Sequence, residues 1–213
     1  MEWITFLLLA GAYAVLWVKR IRDAVLLIGF QALLLAVLTW QYAWEHHSLH
    51  LYAVAVLIVI IKAVVIPWVL LYTLRKIDVK REVERFFSKS STMLAGLLLI
   101  LLAHYLASRL EIYSGSTAAQ GIDPLAVALS FLLLGVYIMI GQKKAIMQGI
   151  GLIVIENGLY LTALVLLGGL QLIVDLGVFF DILVSVIVIG ILSYRINSTF
   201  ESLNTEHLEK LKG

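Results

Sequence analysis

Cysteine is absent from this 213-residue chain, which excludes an iron-sulfur cluster held here by thiolates. Charge is scarce: 14% of the residues are Asp, Glu, Lys or Arg, against 62% hydrophobic, whereas a water-soluble domain carries about a quarter charged residues. A soluble single-domain enzyme is therefore ruled out by composition. Proline occurs twice, at Pro67 and Pro124, so almost nothing interrupts long helices. No internal repeat and no low-complexity tract stands out. The excess of positive charge is small, +2 at neutral pH, and it is not gathered into a nucleic-acid footprint.

What is present is apolar length. A helix satisfies its own backbone hydrogen bonds where water is missing, and crossing about 30 Å of hydrocarbon takes roughly 20 mostly apolar residues. Seven stretches fit, near 1–18, 24–44, 51–74, 91–109, 124–141, 145–168 and 172–194. The expected fold is thus an all-α integral membrane protein of about seven transmembrane helices in one membrane domain. Within it, 1–110 forms an N-terminal group of four helices, 124–194 a three-helix unit and 195–213 a tail. The run "AGAYA" offers small residues for a signal-peptide cleavage point. However, Glu2 precedes the first stretch and Lys19, Arg20 and Arg22 follow it, the reverse of a secretory charge pattern.

Basic residues set the expected orientation. The turn after the first stretch carries Lys19, Arg20 and Arg22. The turn after the third carries Arg75, Lys76, Lys80, Arg81, Arg85 and Lys89. Lys143 and Lys144 lie in "GQKKA", and Arg195, Lys210 and Lys212 follow the seventh stretch. Arg109 stands alone on the opposite side. An outer N-terminus and a cytoplasmic C-terminus explain every loop, in a multi-pass protein of the cytoplasmic (inner) membrane.

Three ionisable residues lie deep: Lys62, Glu156 and Asp181. Counting about 11 to 13 residues from the cytoplasmic ends of their helices puts all three roughly 16 to 20 Å in, at one level. At the centre of a lipid-facing helix each costs about 2.5 to 3.5 kcal/mol, so the set must meet partners or water. Gly149, Leu152, Glu156, Tyr160 and Ala163 share one face. Gly177, Asp181 and Ser185 repeat at four on the next helix, which a short turn makes an antiparallel neighbour. Pro67, five residues beyond Lys62, frees the carbonyl of Ala63 and predicts a kink beside the lysine. Two readings stand. Lys62 neutralises an acid as a structural pair, or the three groups form a relay. Desolvation disfavours the charged form of acid and amine alike, so a buried set can exchange protons near neutral pH as a coupled unit.

The runs "IKAVVIPWVLLY", "QKKAIMQGIGLIVIENGLYL" and "GVFFDILVSVIVIGIL", with a tail ending "LEKLKG", make the sequence resemble hydrogenase-4 component E. That family supplies a membrane-arm subunit of formate-hydrogenlyase-type, group 4 nickel-iron hydrogenases. The resemblance implies that the last three helices are similar to the K-type subunit of respiratory complex I, which also has a counterpart in multisubunit cation/proton antiporters. There, one acid in each of two adjacent helices lies on a proton path. Glu156 and Asp181 are the positions that would carry those roles here, in approximate register, because Asn157 directly follows Glu156 and the second acid is Asp where that subunit has Glu.

The family further implies hydrogenase and antiporter-like partner subunits, with the nickel-iron centre and the iron-sulfur clusters in those partners and none in this chain. This chain is then a non-catalytic subunit carrying a proton or Na⁺ path through Lys62, Glu156 and Asp181. Pro67, His104, Asn157, Tyr160 and Ser185 are supporting residues, and membrane lipid is the other partner. The alternatives are a subunit of a cation/proton antiporter and a purely structural scaffold.

Other signals are weaker. His46, His47 and His50 in "EHHSLH" have spacing that could hold a metal, although a solvated loop has the same appearance. His104 lacks a second histidine at matching depth for haem ligation and reads as a polar or proton-sharing residue at a helix boundary. "GIG" at 149–151 follows no strand and is no phosphate loop. Residues 75–90 predict a helix with Val79, Val83, Phe86 and Phe87 on one side, which lies on the cytoplasmic interface or docks a partner. Ser198 and Glu201 have capping-box spacing in the tail. Asp123 and Pro124 read as the cap and first position of a helix.

Overall fold

Long apolar runs with almost no proline give long helices, and the computed structural model is helical wherever it has regular structure. It describes residues 2–76, 83, 85–114 and 123–167. In chain order these form α1 (Glu2–Val15), α2 (Ile21–Glu45), α3 (Leu49–Ile58), a π-helical segment (Val59–Val65), α4 (Ile66–Lys76), α5 (Lys89–Ser114), α6 (Pro124–Gly141) and α7 (Ala145–Leu167). There is no named strand among the described residues. The expected seventh stretch, 172–194, lies outside them, as do the tail and its capping pair.

Among the described residues five helices are long and apolar enough to cross a membrane: Ile21–Glu45, Leu49–Tyr72, Lys89–Leu110, Pro124–Gly141 and Ala145–Leu166. The first apolar helix, Trp3–Val15, is shorter than the expected 1–18. The 14 residues of α1 rise about 21 Å, less than the hydrocarbon thickness. The chain leaves the helix there in a turn in which Leu16 N–H donates to Tyr13 O and Trp17 N–H to Ala14 O.

Element ends follow local chemistry. Asp123 caps α6 as expected, its carboxylate accepting from Leu125 N (2.8 Å) and Ala126 N (3.1 Å) with Pro124 in the first turn. Between α2 and α3, His47 takes a positive φ of 48°, which turns the chain, and Ser48 Oγ accepts from Leu51 N at 3.5 Å to start α3. Ser88 plays the same part for α5, accepting from Ser91 N at 3.3 Å.

Proline at 67 does more than kink the span. It cannot donate to Ala63 O, and the preceding turns widen, so that Ile66 N–H reaches back five residues to Ile61 O. Seven residues, Val59 to Val65, take the π form with Lys62 at their centre. Such a turn is rare and is frequently found at functional sites.

The central element is α2, which packs against α1, α3, the π segment, α4 and α7, while α6 and α7 form the tightest pair and α5 lies on α6. The pattern is inside out relative to a soluble bundle. Phe30, Leu33, Val37, Trp40 and Trp44 make an exposed apolar stripe on α2, whereas Gln31 and Thr39 of the same helix are fully buried.

The turns that carry basic residues meet at one end of the bundle. Val83 N–H donates to Lys19 O (2.8 Å), Arg85 to Val18 O (2.5 Å) and Phe86 N–H to Gly141 O (3.0 Å). These contacts also correct, at Val83 and residues 85–88, the helix expected over 75–90, of which 77–82 and 84 lie outside the described residues. Val83 and residues 85–88 are not helical; Arg85 forms an isolated antiparallel bridge with Gln142. Their backbone groups are satisfied by neighbouring turns, so no helix is needed to pair them. Phe86 and Phe87 remain exposed, Phe87 stacking on Tyr137 with 6.3 Å between ring centroids.

Candidate functional site

The site is built where the π segment meets α7. Lys62 and Glu156 are 3% and 5% exposed, and Lys62 Nζ stands 2.8 Å from Glu156 Oε1. Two expected path residues are thus brought into direct contact in the apolar interior. The distance is that of an ion pair. Its angle falls short of a well-formed hydrogen bond, and both carboxylate oxygens lack a hydrogen-bond partner among the described residues. The pair neutralises charge while leaving acceptor capacity on the acid.

Lys62 also donates to Asn157 Oδ1 at 3.2 Å. That contact fixes the amide, since an ammonium only donates and must face an oxygen. Asn157 Nδ2 is then turned to Gln31 Oε1 of α2, 3.5 Å away at the outer limit for such a bond. The remaining Gln31 Nε2 is buried with no partner among the described residues. Gln31 fits because α1 has Gly11 opposite it: a β-carbon there would sit 3.3 Å from Gln31 Cγ.

Tyr160, one turn beyond Glu156, presents its ring to Lys62 with 5.8 Å from Nζ to the centroid. Its hydroxyl is 2.8 Å from Thr39 Oγ1, and Thr39 in turn donates to Leu35 O at 2.8 Å. With the threonine proton so used, the tyrosine is the donor to Thr39. The ammonium therefore touches three side chains of α7, two of them braced from behind by α2.

Pro67 stands beside this arrangement. A β-carbon at Gly29 of α2 would come within 3.1 Å of its Cγ and 3.6 Å of Ala63 O, so the proline and the carbonyl it frees face α2 closely. His104 is not brought to the cluster. It sits half-buried on α5, its Nδ1 3.0 Å from Ile100 O of its own helix. Asp181 and Ser185 lie outside the described residues. No group of three or more metal-ligating side chains occurs among the described residues; His46 instead stacks on Tyr42.

Sequence reasoning missed Gln31 and Thr39. Both are uncharged, and a single Gln or Thr in an apolar span carries no depth signal by itself. A helical count shows them eight residues apart, on the side of α2 away from its exposed stripe. The bond they support can be tested. Replacing Thr39 with Val leaves Tyr160 without an acceptor, and interhelical hydrogen bonds in membranes average about 0.6 and reach about 1.7 kcal/mol. A double-mutant cycle of Thr39→Val and Tyr160→Phe, read by reversible unfolding in mixed micelles, is expected to give a coupling in that range. Additive single effects would mean the hydroxyls do not support each other.

These features define a multi-pass helical membrane protein whose polar interior is built around a lysine–glutamate pair. The chain is distantly related to hydrogenase-4 component E. It is 28% identical to that protein of Escherichia coli (strain K12) over 155 residues, 72% of this chain and 70% of the relative. The protein of the same description in Shigella flexneri matches to the same extent. An uncharacterised protein of Mycobacterium tuberculosis is 27% identical over 207 residues, covering 96% of this chain and 92% of the relative. No protein-family model and no solved structure matches the chain.

Proposed function

We propose that this chain is a membrane-arm subunit of a group 4 nickel-iron hydrogenase-like complex in the cytoplasmic membrane, and that it carries part of a proton path. The observation that carries the reading is the buried Lys62–Glu156 contact of 2.8 Å, in a chain related to hydrogenase-4 component E. A lysine and an acid held at one depth inside an apolar bundle form an unusual investment of polar groups. Their contact offers a simple exchange: ammonium and carboxylate on one side, amine and carboxylic acid on the other, with no net charge created in the interior. Asn157 orients the ammonium, Tyr160 covers it, and the acid's remaining acceptor capacity faces the next carrier. In this reading that carrier is Asp181, with Ser185 beside it. The residues 124–194 act as the three-helix unit expected from the K-type resemblance. The redox chemistry, its nickel-iron centre and its iron-sulfur clusters belong to partner subunits. Antiporter-like membrane subunits continue the path.

The test is Glu156→Gln in the intact complex, with assembly and ion movement measured separately. The amide keeps size and shape and leaves an oxygen beside Lys62, but it cannot take up the proton. The expected result is an assembled complex whose proton movement is uncoupled from turnover. Loss of assembly with coupling intact in the residual complex would instead favour the structural-scaffold reading. Purification through a tag on this chain tests the partners: nickel and iron are expected with it, whereas antiporter subunits without metals would place it in a cation/proton antiporter.

A further inference from the structure

We propose that the groove between the start of α2 and the end of α4 binds the phosphate of an anionic phospholipid, held by Arg22 and Arg75. The groove is lined by Ile21, Arg22, Leu71, Leu74 and Arg75, with a volume of about 130 Å³. Its walls are of two kinds. Ile21 and Leu74 are buried and form an apolar floor, while both arginines are exposed at its edge. Among the described residues neither guanidinium has a carboxylate partner. Asp23 follows Arg22 on α2, but successive helical side chains point about 100° apart, so it does not share the arginine's direction.

Depth selects a lipid. Arg22 is the second residue of α2 and Arg75 the last but one of α4, so both stand at helix ends where headgroups lie. They share the bundle end at which the turns after α1 and α6 meet Val83, Arg85 and Phe86. Guanidinium offers a planar fork of donors that matches a phosphate's oxygens, and basic pockets between transmembrane helices bind anionic headgroups. Size is compatible with a headgroup. About 130 Å³ is well above the roughly 10–15 Å³ of such space that holds one water, so a phosphate group has room between the arginines.

A place for the chains adjoins the groove. Trp68, Leu71, Tyr72 and Arg75 fall at i, i+3, i+4 and i+7 on one face of α4. The rings of Trp68 and Tyr72 are exposed by 65% and 54% and stacked, 5.9 Å apart at 21°. An acyl chain can lie along this aromatic face, with its phosphate at the arginine end, the amphipathic placement expected of Trp and Tyr near an interface.

The experiment is native mass spectrometry of the detergent-purified full chain with phosphatidylglycerol and phosphatidylcholine in competition, together with inorganic phosphate as a third arm. Retention of phosphatidylglycerol over phosphatidylcholine is expected for the unaltered chain. Arg22→Gln with Arg75→Gln should weaken that preference roughly 25-fold, since each arginine near the surface contributes about a factor of five. Arg109→Gln, at the other end of the bundle, should leave it unchanged. Equal retention of the two lipids by the unaltered chain overturns the proposal without any variant. So does a double variant of undiminished preference, as does displacement of phosphatidylglycerol by inorganic phosphate, which would make this a site for the free ion.

Discussion

Replacing Lys62 with methionine is expected to destabilise the bundle by roughly 3 to 5 kcal/mol, the usual cost of removing one partner from a buried ion pair. Glu156 would be left 5% exposed with no hydrogen-bond partner for either carboxylate oxygen among the described residues. Asn157 would lose its donor at 3.2 Å, and the Tyr160 ring its cation at 5.8 Å. The double substitution Lys62→Met with Glu156→Leu removes both charges and is expected to recover most of the loss, because matched apolar replacements of a buried pair are often neutral or better. Reversible unfolding of the three variants in mixed micelles measures this. A single-variant cost below about 1 kcal/mol would mean that the pair is solvated in the membrane and does not hold α7 to the π segment. Stability recovered by the double variant, with proton movement still lost, would separate the pair's structural contribution from its proposed role.

The same pair shows what could be read in advance. Depth counting needs only charges and helix ends, so Lys62 and Glu156 were legible as groups at one level, the lysine's partner staying open between Glu156 and Asp181, and Asn157 and Tyr160 followed from their positions on the same helix. The helices were legible for the same reason. The runs expected at 124–141 and 145–168 became Pro124–Gly141 and Ala145–Leu167, since apolar length and a capping aspartate are local signals. Two features were not. A proline predicts disruption but not its form. The widened turn at Val59–Val65 depends on how closely α2 can approach, and it does so at Gly29, against Pro67 and Ala63. Likewise, Gln31 and Thr39 acquire meaning only once α2 is known to lie behind α7. Val83 and residues 85–88 were not legible as non-helical because their pairing partners, Lys19 O and Gly141 O, are distant in sequence.

A second large effect is expected where α6 and α7 cross. A β-carbon at Gly151 would lie 2.9 Å from Gly135 O and 3.0 Å from Met139 N, and one at Gly135 would lie 2.8 Å from both Gly151 O and Ile155 N. These are backbone atoms that cannot turn aside, so alanine at either position must push the helices apart. Small residues give membrane helices their close approach, and dispersion between them is a main source of their association. Gly151→Ala is therefore expected to cost near the top of the range for overpacking, about 3 kcal/mol. Gly135→Ala should cost a similar amount. The pair together should cost less than their sum, because one separation accommodates both added methyl groups. Gly141→Ala is the control, since its added carbon meets only Phe87 Cδ2 at 3.9 Å. The consequence reaches the polar site. Glu156 and Asn157 lie on the turns of α7 just past Gly151, and a β-carbon at Gly158 beyond them would lie 2.9 Å from Ala128 O. A shift of α7 would lengthen the contacts of Lys62 at 2.8 and 3.2 Å together. Gly151→Ala is thus expected to lower stability and, under the proposed function, proton movement as well, while Gly141→Ala changes neither. A stable Gly151→Ala protein with unaltered unfolding would show that the helices are not held in contact at this crossing.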